Sequence, residues 1–356
     1  MATCQVGMER ALKAELAKLR PDLHPGFSRP GLLTFKATGR QFGPEEAPTA
    51  IFARIWAASA GPCLTADAVA ATARDVGATR LFVSSRELFR PDRTPPAAEA
   101  AAALEVERWR RDLAPAFAVG PPALGDTVLD VLTAPGEPPV VGWHVHAQWR
   151  HEGPGGAFDV ETPDDVPSRD WRKVVEGLRW SGARLTRGDL VLELGAAPGG
   201  GTRALVEAGC RVLTVDAQPM DLAVLRMPGV THYSRRIGDL KGGALPKDIR
   251  WVASSAGIPP EDLLHAIERL RPALPALRGF LLTLKLHDDG VIRHLPATLN
   301  HLRKLGANVV RARQLPANRR DIFVYAEVGA AAGGERQSGG PRAPRPERAP
   351  GTRGPA

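Results

Sequence analysis

Asp189-Leu-Val-Leu-Glu-Leu-Gly195-Ala-Ala-Pro198-Gly199-Gly200-Gly201-Thr202, followed by Arg211-Val-Leu-Thr-Val-Asp216, decides the fold. It reads as a buried parallel strand, a glycine-rich turn, a helix start and a second strand ending in a carboxylate. Glycines in such a turn remove the Cβ atoms that would collide with an approaching ligand. The spacing is not the dinucleotide fingerprint. Ala-Ala-Pro-Gly-Gly follows Gly195, and Pro198 stiffens the place where a pyrophosphate-binding helix presents free N–H groups. A nucleoside without phosphates fits better, and S-adenosyl-L-methionine is the obvious candidate. The plain alternative is a tight corner of an α/β domain.

Downstream of this core the pattern repeats. Residues 230–233, 250–255 and 279–285 read as further strands, with helices over 260–270 and 295–305. Residues 309–311 and 321–326 fit a closing antiparallel pair. Upstream, residues 168–178 read as a capped amphipathic helix leading into the first strand. This is the order of a doubly wound sheet, whose ligands gather outside the carboxyl ends of the parallel strands.

The N-terminal part reads differently. Met8, Leu12, Leu16 and Leu19 form a helical stripe stopped by Pro21, residues 31–36 read as a strand, and 49–60 as a strand or short helix. A helix over 64–76 and a strand over 79–83 complete a small α+β unit that ends before the Pro/Ala-rich stretch 91–100. A helix over 101–113 and two strands, 127–132 and 140–149, follow. Trp143 and Trp149 on the second strand suit either packing or stacking on nucleic-acid bases.

With 356 residues and 43% hydrophobic composition the chain is expected to hold two domains and a tail. The expected divisions are 1–90, 91–165, 166–328 and 329–356. The last is rich in Gly, Pro and Arg, has almost nothing apolar to bury, and reads as disordered. No apolar run approaches the length of a membrane span, and the first residues lack the basic-then-apolar order of a secretion signal. Cys4, Cys63 and Cys210 are too few and too scattered for a disulfide framework or a zinc site, and His144 with His146 is too little to imply a metal. The cytoplasm is the expected compartment and a monomer the expected state. Net charge of +8 suits a polyanionic partner, but many cytoplasmic proteins carry similar charge without one.

Taken together these residues resemble the ribose 2'-O-methyltransferases of the FtsJ/RrmJ type, and among them the RlmM family, which methylates a cytidine ribose of large-subunit ribosomal RNA. The resemblance runs over roughly positions 1 to 326. It is carried by Cys4-Gln-Val-Gly7-Met-Glu9 at the start, Gly142-Trp143-His144, the loop Leu194 to Gly200, Leu284-Lys285 and Arg313-Gln314-Leu315. It implies a Rossmann-like S-adenosyl-L-methionine-dependent domain behind an N-terminal α+β, THUMP-like RNA-binding region.

For the site, the resemblance implies Glu193, Gly195, Ala196, Pro198, Gly199 and Gly200 around the methionine end of the donor. Asp216 falls on the ribose hydroxyls, and Asp239 with the Leu240 backbone beside the adenine. The implied catalytic set is a Lys-Asp-Lys-Glu tetrad. Its lysines fall on Lys173 and Lys285, its aspartate on Ser255 and its glutamate on Asp321, so two of four positions depart from the pattern. A third departure is Gly201, where the family usually has tryptophan.

Ser255 brings hydrogen-bonding capacity and no negative charge. A ribose hydroxyl is a poor nucleophile that has to be oriented and to lose its proton, and a lysine accepts that proton only when neutral. The leading expectation is therefore 2'-O-methylation of structured RNA, ribosomal and large-subunit, with no DNA specificity and no membrane. Arg108, Arg110, Arg169, Arg172, Arg235, Arg236, Arg319 and Arg320 are candidate phosphate contacts or ordinary solvated groups. The alternative is an impaired or inactive RNA-binding relative that keeps the fold. Methylation of a small molecule or a protein comes third.

Overall fold

The computed structural model describes residues 1–39, 42–90, 93–148, 150 and 153–329. Trp149 and all of the tail except Gly329 lie outside the described residues. Three hydrogen-bonded sheets organise the rest.

The first sheet holds β1 (Ala2–Thr3), β2 (Leu23–Arg29), β3 (Leu32–Ala37) and β4 (Ile55–Trp56) in the order β2-β3-β1-β4. Helix α1 (Glu9–Leu19) packs on it through Leu12 and Leu16, while Leu19, expected on the buried stripe, is half exposed. The second sheet holds β5 (Ala58–Pro62), β6 (Arg80–Ser85), β7 (Thr127–Ala134) and β8 (Glu137–Val145) in the order β5-β8-β7-β6. It is covered by α2 (Ala66–Val76) and α3 (Pro96–Leu113). Trp143 packs against its apolar cluster, and His144 is buried, 2.6 Å from Asp130.

Several expectations change here. The single strand or helix over 49–60 is two short strands in different sheets. The strand β2 was unforeseen: only Leu23 in it is buried, so it shows no alternation. Helix α3 begins inside the Pro/Ala-rich stretch, because Pro96 sits at a first-turn position whose N–H has no helical partner in any case.

The third sheet has seven strands: β9 (Leu190–Leu194), β10 (Arg211–Asp216), β11 (Val230–Ser234), β12 (Ile249–Ser254), β13 (Gly279–Lys285), β14 (Ala307–Arg313) and β15 (Asp321–Val328). Their order is β11-β10-β9-β12-β13-β15-β14. The first five run parallel, and β15 lies antiparallel between β13 and β14. All five residues of β9 are buried, as a strand covered on both faces requires. Helices α4 (Asp170–Ser181), α5 (Gly200–Glu207), α6 (Leu222–Leu225), α7 (Pro260–Leu270) and α8 (Asp289–Lys304) accompany the sheet. Helix α8 starts six residues before the expected Leu295, because Asp288 caps it by accepting from the Val291 N–H at 3.0 Å and Pro296 is accommodated inside it. The strand order reverses between β9 and β12, which puts the ligand crevice at their carboxyl ends. Among the described residues no helix is long and apolar enough to cross a membrane.

The N-terminal part meets this domain along the end of β14 and the residues just after it. The Gln314 N–H donates to the Ile51 carbonyl at 2.8 Å, and Arg313 donates to the Arg54 carbonyl at 2.8 Å.

Candidate active site

The turn after β9 is shaped by backbone constraints. Gly195 has φ of +74°, and a Cβ there would lie 2.9 Å from the Ala256 Cα. Gly199 has φ of +116°, a conformation that L side chains rarely adopt. Gly200 opens α5 against the start of α4, where a Cβ would meet the Ser168 carbonyl at 2.8 Å and the Trp171 nitrogen at 2.9 Å. The turn and the helix carrying Lys173 are therefore one packed unit. Ala196 is buried against Met220 and Val224, whereas Pro198 is exposed at the tip.

Two carboxylates brace the turn. Asp216, at the end of β10, accepts from the Ala197 N–H at 2.9 Å and the Gln218 N–H at 2.8 Å. It stays partly exposed, with acceptor capacity on each oxygen for a further donor. Glu193 is buried and accepts from the Thr202 hydroxyl at 2.6 Å. Burial pushes its carboxyl up to about 8, against the opposing pull of the Thr202 bond. A Cβ on Gly201 would overlap Glu193 Oε1, so the buried glutamate occupies the room that a side chain at 201 would need.

A second cluster forms where α4, β13 and β15 converge. Gly177, in the middle of α4, lets that helix press on Phe323 of β15; a Cβ at 177 would overlap the ring. Lys173 is thereby buried, with Nζ 2.7 Å from Asp321 Oδ2 and 2.8 Å from Asp170 Oδ1. Lys285 ends β13 directly opposite Asp321 in the antiparallel register, with Nζ 3.3 Å from Asp321 Oδ1. One carboxylate thus lies between two lysine side chains. Of the three side chains Lys285 is the most open, at 20% exposure against 4% for Lys173 and 7% for Asp321.

For Lys173, burial pulls the pKa down, but Asp170 and Asp321 together outweigh it and hold it above the usual lysine value. Lys173 is a cation at neutral pH. Its ion pairs contribute stability that is fully present below about 10.4, the unfolded lysine pKa, and lost as pH rises through the higher folded value.

The four positions of the expected tetrad do not converge equally. Asp321 pairs with both lysines and, among the described residues, with neither Arg319 nor Arg320. Ser255, just beyond β12, is buried at the crevice edge with no hydrogen bond to Lys173, Lys285 or Asp321 among the described residues. Its neighbour Ser254 is committed to the fold, donating to the Leu194 carbonyl at 2.7 Å. Asp239 is exposed in a short 3₁₀ turn after β11, next to the buried Leu240.

Three residues escaped the sequence reading. Asp170 is one turn before Lys173 on α4, a spacing that brings side chains together and that a helix-capping reading hides. Gly177 stood in the sequence as a mid-helix glycine, a signal of close packing. Glu176, fully buried, accepts from Arg172 at 2.9 Å and from the Ala317 N–H at 2.8 Å, tying α4 to the loop before Asp321.

Of the candidate phosphate contacts, Arg108 and Arg110 pair with Glu105 and Glu107 on their own helix, and Arg172 with Glu176. Arg235 lies over the Tyr233 ring.

No family model matches the chain. Over 50 residues it is 56% identical to the ribosomal RNA large subunit methyltransferase E of Thermoplasma acidophilum, a stretch that is 14% of this chain and 22% of that protein. Over 187 residues it is 28% identical to the ribosomal RNA large subunit methyltransferase M of Chromohalobacter salexigens, covering 49% of this chain and 51% of the relative. The chain thus spans about half the length of the second relative and under a quarter of the first. Among solved structures, the 1,6-didemethyltoxoflavin-N1-methyltransferase of Burkholderia thailandensis overlaps 46% of this chain and 80% of its own, at 18% identity and a TM-score of 0.35. Likeness of that size adds nothing to the strand order described above. The sheet is a Rossmann-like α/β core, and part of the chain is similar to ribosomal RNA large-subunit methyltransferases.

Proposed function

We propose that this chain transfers a methyl group from S-adenosyl-L-methionine to a ribose 2'-hydroxyl of structured RNA, with large-subunit ribosomal RNA as substrate. The observation that carries the reading is Asp321 held between Lys173 and Lys285 beside the glycine-rich crevice. The relatives named for ribosomal RNA methylation support the choice of RNA.

The residues of the turn fit the donor. Positive-φ glycines leave the backbone uncovered, and the partly exposed Asp216 keeps acceptor capacity suited to ribose hydroxyls. Gly195, Ala196, Pro198, Gly199 and Gly200 would hold its methionine end over the buried Glu193, with Asp239 and the Leu240 backbone near the adenine. When bound, the donor supplies an electrophilic methyl on a sulfonium.

The chain's own residues do the rest. Lys173, kept cationic by two carboxylates, fixes Asp321 from the buried side. Asp321 in turn orients Lys285, whose more open Nζ, as the neutral amine, would take the proton that the hydroxyl loses as its oxygen gains the methyl group. Asp170 supplies Lys173 with the second carboxylate contact that Ser255 does not offer. The N-terminal sheets, read as a THUMP-like region, would hold the RNA against the crevice.

Ser255 favours a second reading, a non-catalytic RNA-binding relative, since it brings no charge to the site. Incubation with labelled donor and ribosomal RNA from a strain lacking the gene separates the two. Label on a single 2'-oxygen, lost with Lys285→Ala, supports the enzyme. Tight donor binding without transfer to any cellular RNA supports the binding protein.

A further inference from the structure

Two stretches singled out in the sequence, Cys4-Gln-Val-Gly7 and Arg313-Gln314-Leu315, are left without a task by the proposed methyl transfer. They meet at one atom. The Gln5 Nε2 group donates to the Arg319 carbonyl across 314 positions of sequence. Gln314 Nε2 lies 3.4 Å from the same carbonyl and 3.5 Å from that of Asp321. Both glutamines are buried.

The Gln5 amide fits only one way round. Its Oε1 accepts from Arg54 Nη2 at 3.2 Å, and a guanidinium only donates, so the amide nitrogen has to face the carbonyl. Turned over, the amide would set donor against donor and acceptor against acceptor in a buried place. Arg54 is itself fixed: it pairs with Glu87, its N–H donates to the Thr3 carbonyl at 2.8 Å, and its carbonyl accepts from Arg313. Gln5 is thus held from the N-terminal side and aimed at the seven-stranded domain.

The place it reaches bears on the lysine cluster. The Arg320 carbonyl accepts from the Leu286 N–H at 2.7 Å, one step beyond the Lys285–Asp321 pair, so Arg319 is the first residue outside the pairing of β13 and β15. Asp321 opens β15, and the end of a strand is where a ladder gives way first. Glu176 ties the loop to α4 at Ala317, and Gln5 ties it at Arg319, two residues before Asp321.

We propose that Gln5 is a positioning residue for methyl transfer: by holding the Arg319 carbonyl it keeps the Asp321 carboxylate where it orients Lys285. The inference rests on the reading of the crevice as a methyl-transfer site, and it gives the N-terminal part a share in the reaction besides the holding of RNA. Gln5 acts only through Asp321. Its loss should therefore slow transfer without changing what the crevice binds.

The test is single-turnover methyl transfer by the full chain to ribosomal RNA from a strain lacking the gene, with donor affinity and RNA affinity measured on the same preparations. Gln5→Met removes the N–H donor. Gln5→Glu keeps the length and the Arg54 contact but sets an acceptor oxygen against the Arg319 carbonyl. Each is expected to slow transfer about tenfold, a fraction of the roughly 10²-fold that a 1 Å misplacement costs, with both affinities within about twofold of wild type. On an Asp321→Asn background Gln5→Met is expected to change the rate by less than about twofold, because two residues acting through one contact are not additive. A wild-type rate in both variants, an undiminished loss on the Asp321→Asn background, or donor affinity falling in step with rate overturns the proposal and leaves methyl transfer standing. Failure of wild type to methylate any RNA removes the reading of the crevice, and this proposal with it. Gln5→Glu carries the test should Gln5→Met not fold, and misfolding of both would also overturn it, because Gln5 would then be structural.

Discussion

The glycine-rich turn and the lysine cluster lie at the same edge of the sheet but are built in opposite ways. The turn is local: one strand, one corner and one helix, within residues 189–216, fixed by backbone conformation and braced by Glu193 and Asp216. The cluster is assembled from afar, with Asp170 and Lys173 on α4, Lys285 on β13 and Asp321 on β15. A region made of backbone tolerates few residue types but needs little else. A region made of converging side chains depends on every packing contact that sets the angle of α4, above all Gly177 against Phe323. Donor binding and methyl transfer should accordingly fail separately.

The largest effect is expected from Gly195→Val, which combines a left-handed φ with overlap at Ala256. Backbone strain of about 1–3 kcal/mol and overpacking of similar size predict a loss of roughly 2–6 kcal/mol, read by denaturant unfolding, together with loss of donor binding. An unchanged midpoint would mean that the corner is loosely built.

Next comes Glu193→Gln. The folded carboxyl titrates near 8 and the unfolded one near 4.3, so the folded chain holds a proton that the unfolded chain gives up between those values. Wild-type stability should fall as pH rises through that window, and the variant should lose this slope, gaining on the order of 4 kcal/mol over wild type between pH 5 and pH 9. Parallel pH profiles would show that Glu193 is ionised throughout.

The smallest effect sharpens the contrast from the other side. Asp170→Asn removes one of the two carboxylates on Lys173 and should slow transfer about tenfold, or ~1.4 kcal/mol, with donor affinity unchanged. A matching loss of donor affinity would tie Asp170 to the turn instead.

Sequence reading reached these two regions unequally, for the same reason. Strand, corner and following strand announce themselves through glycine, apolar runs and short spacing, so the turn and the bracing Asp216 were legible. Lys285 and Asp321 were found through resemblance, but their register opposite one another appears only once β13 and β15 pair. Asp170 was hidden because a carboxylate at a helix start reads as a favourable end charge before it reads as a partner for the next turn. Ser255 had suggested a site short of charge, and Asp170 restores a carboxylate from a different element. In the N-terminal part β2 was illegible because Pro25 and Gly26 interrupt it, and its pairing shifts register there.

Asp321→Asn tests the central claim most directly, with donor affinity and single-turnover methyl transfer measured on the same preparation. One carboxylate holding two lysines predicts an unchanged donor affinity and transfer slowed on the order of 10²-fold or more. Undiminished transfer, or donor affinity lost in step with rate, would contradict it.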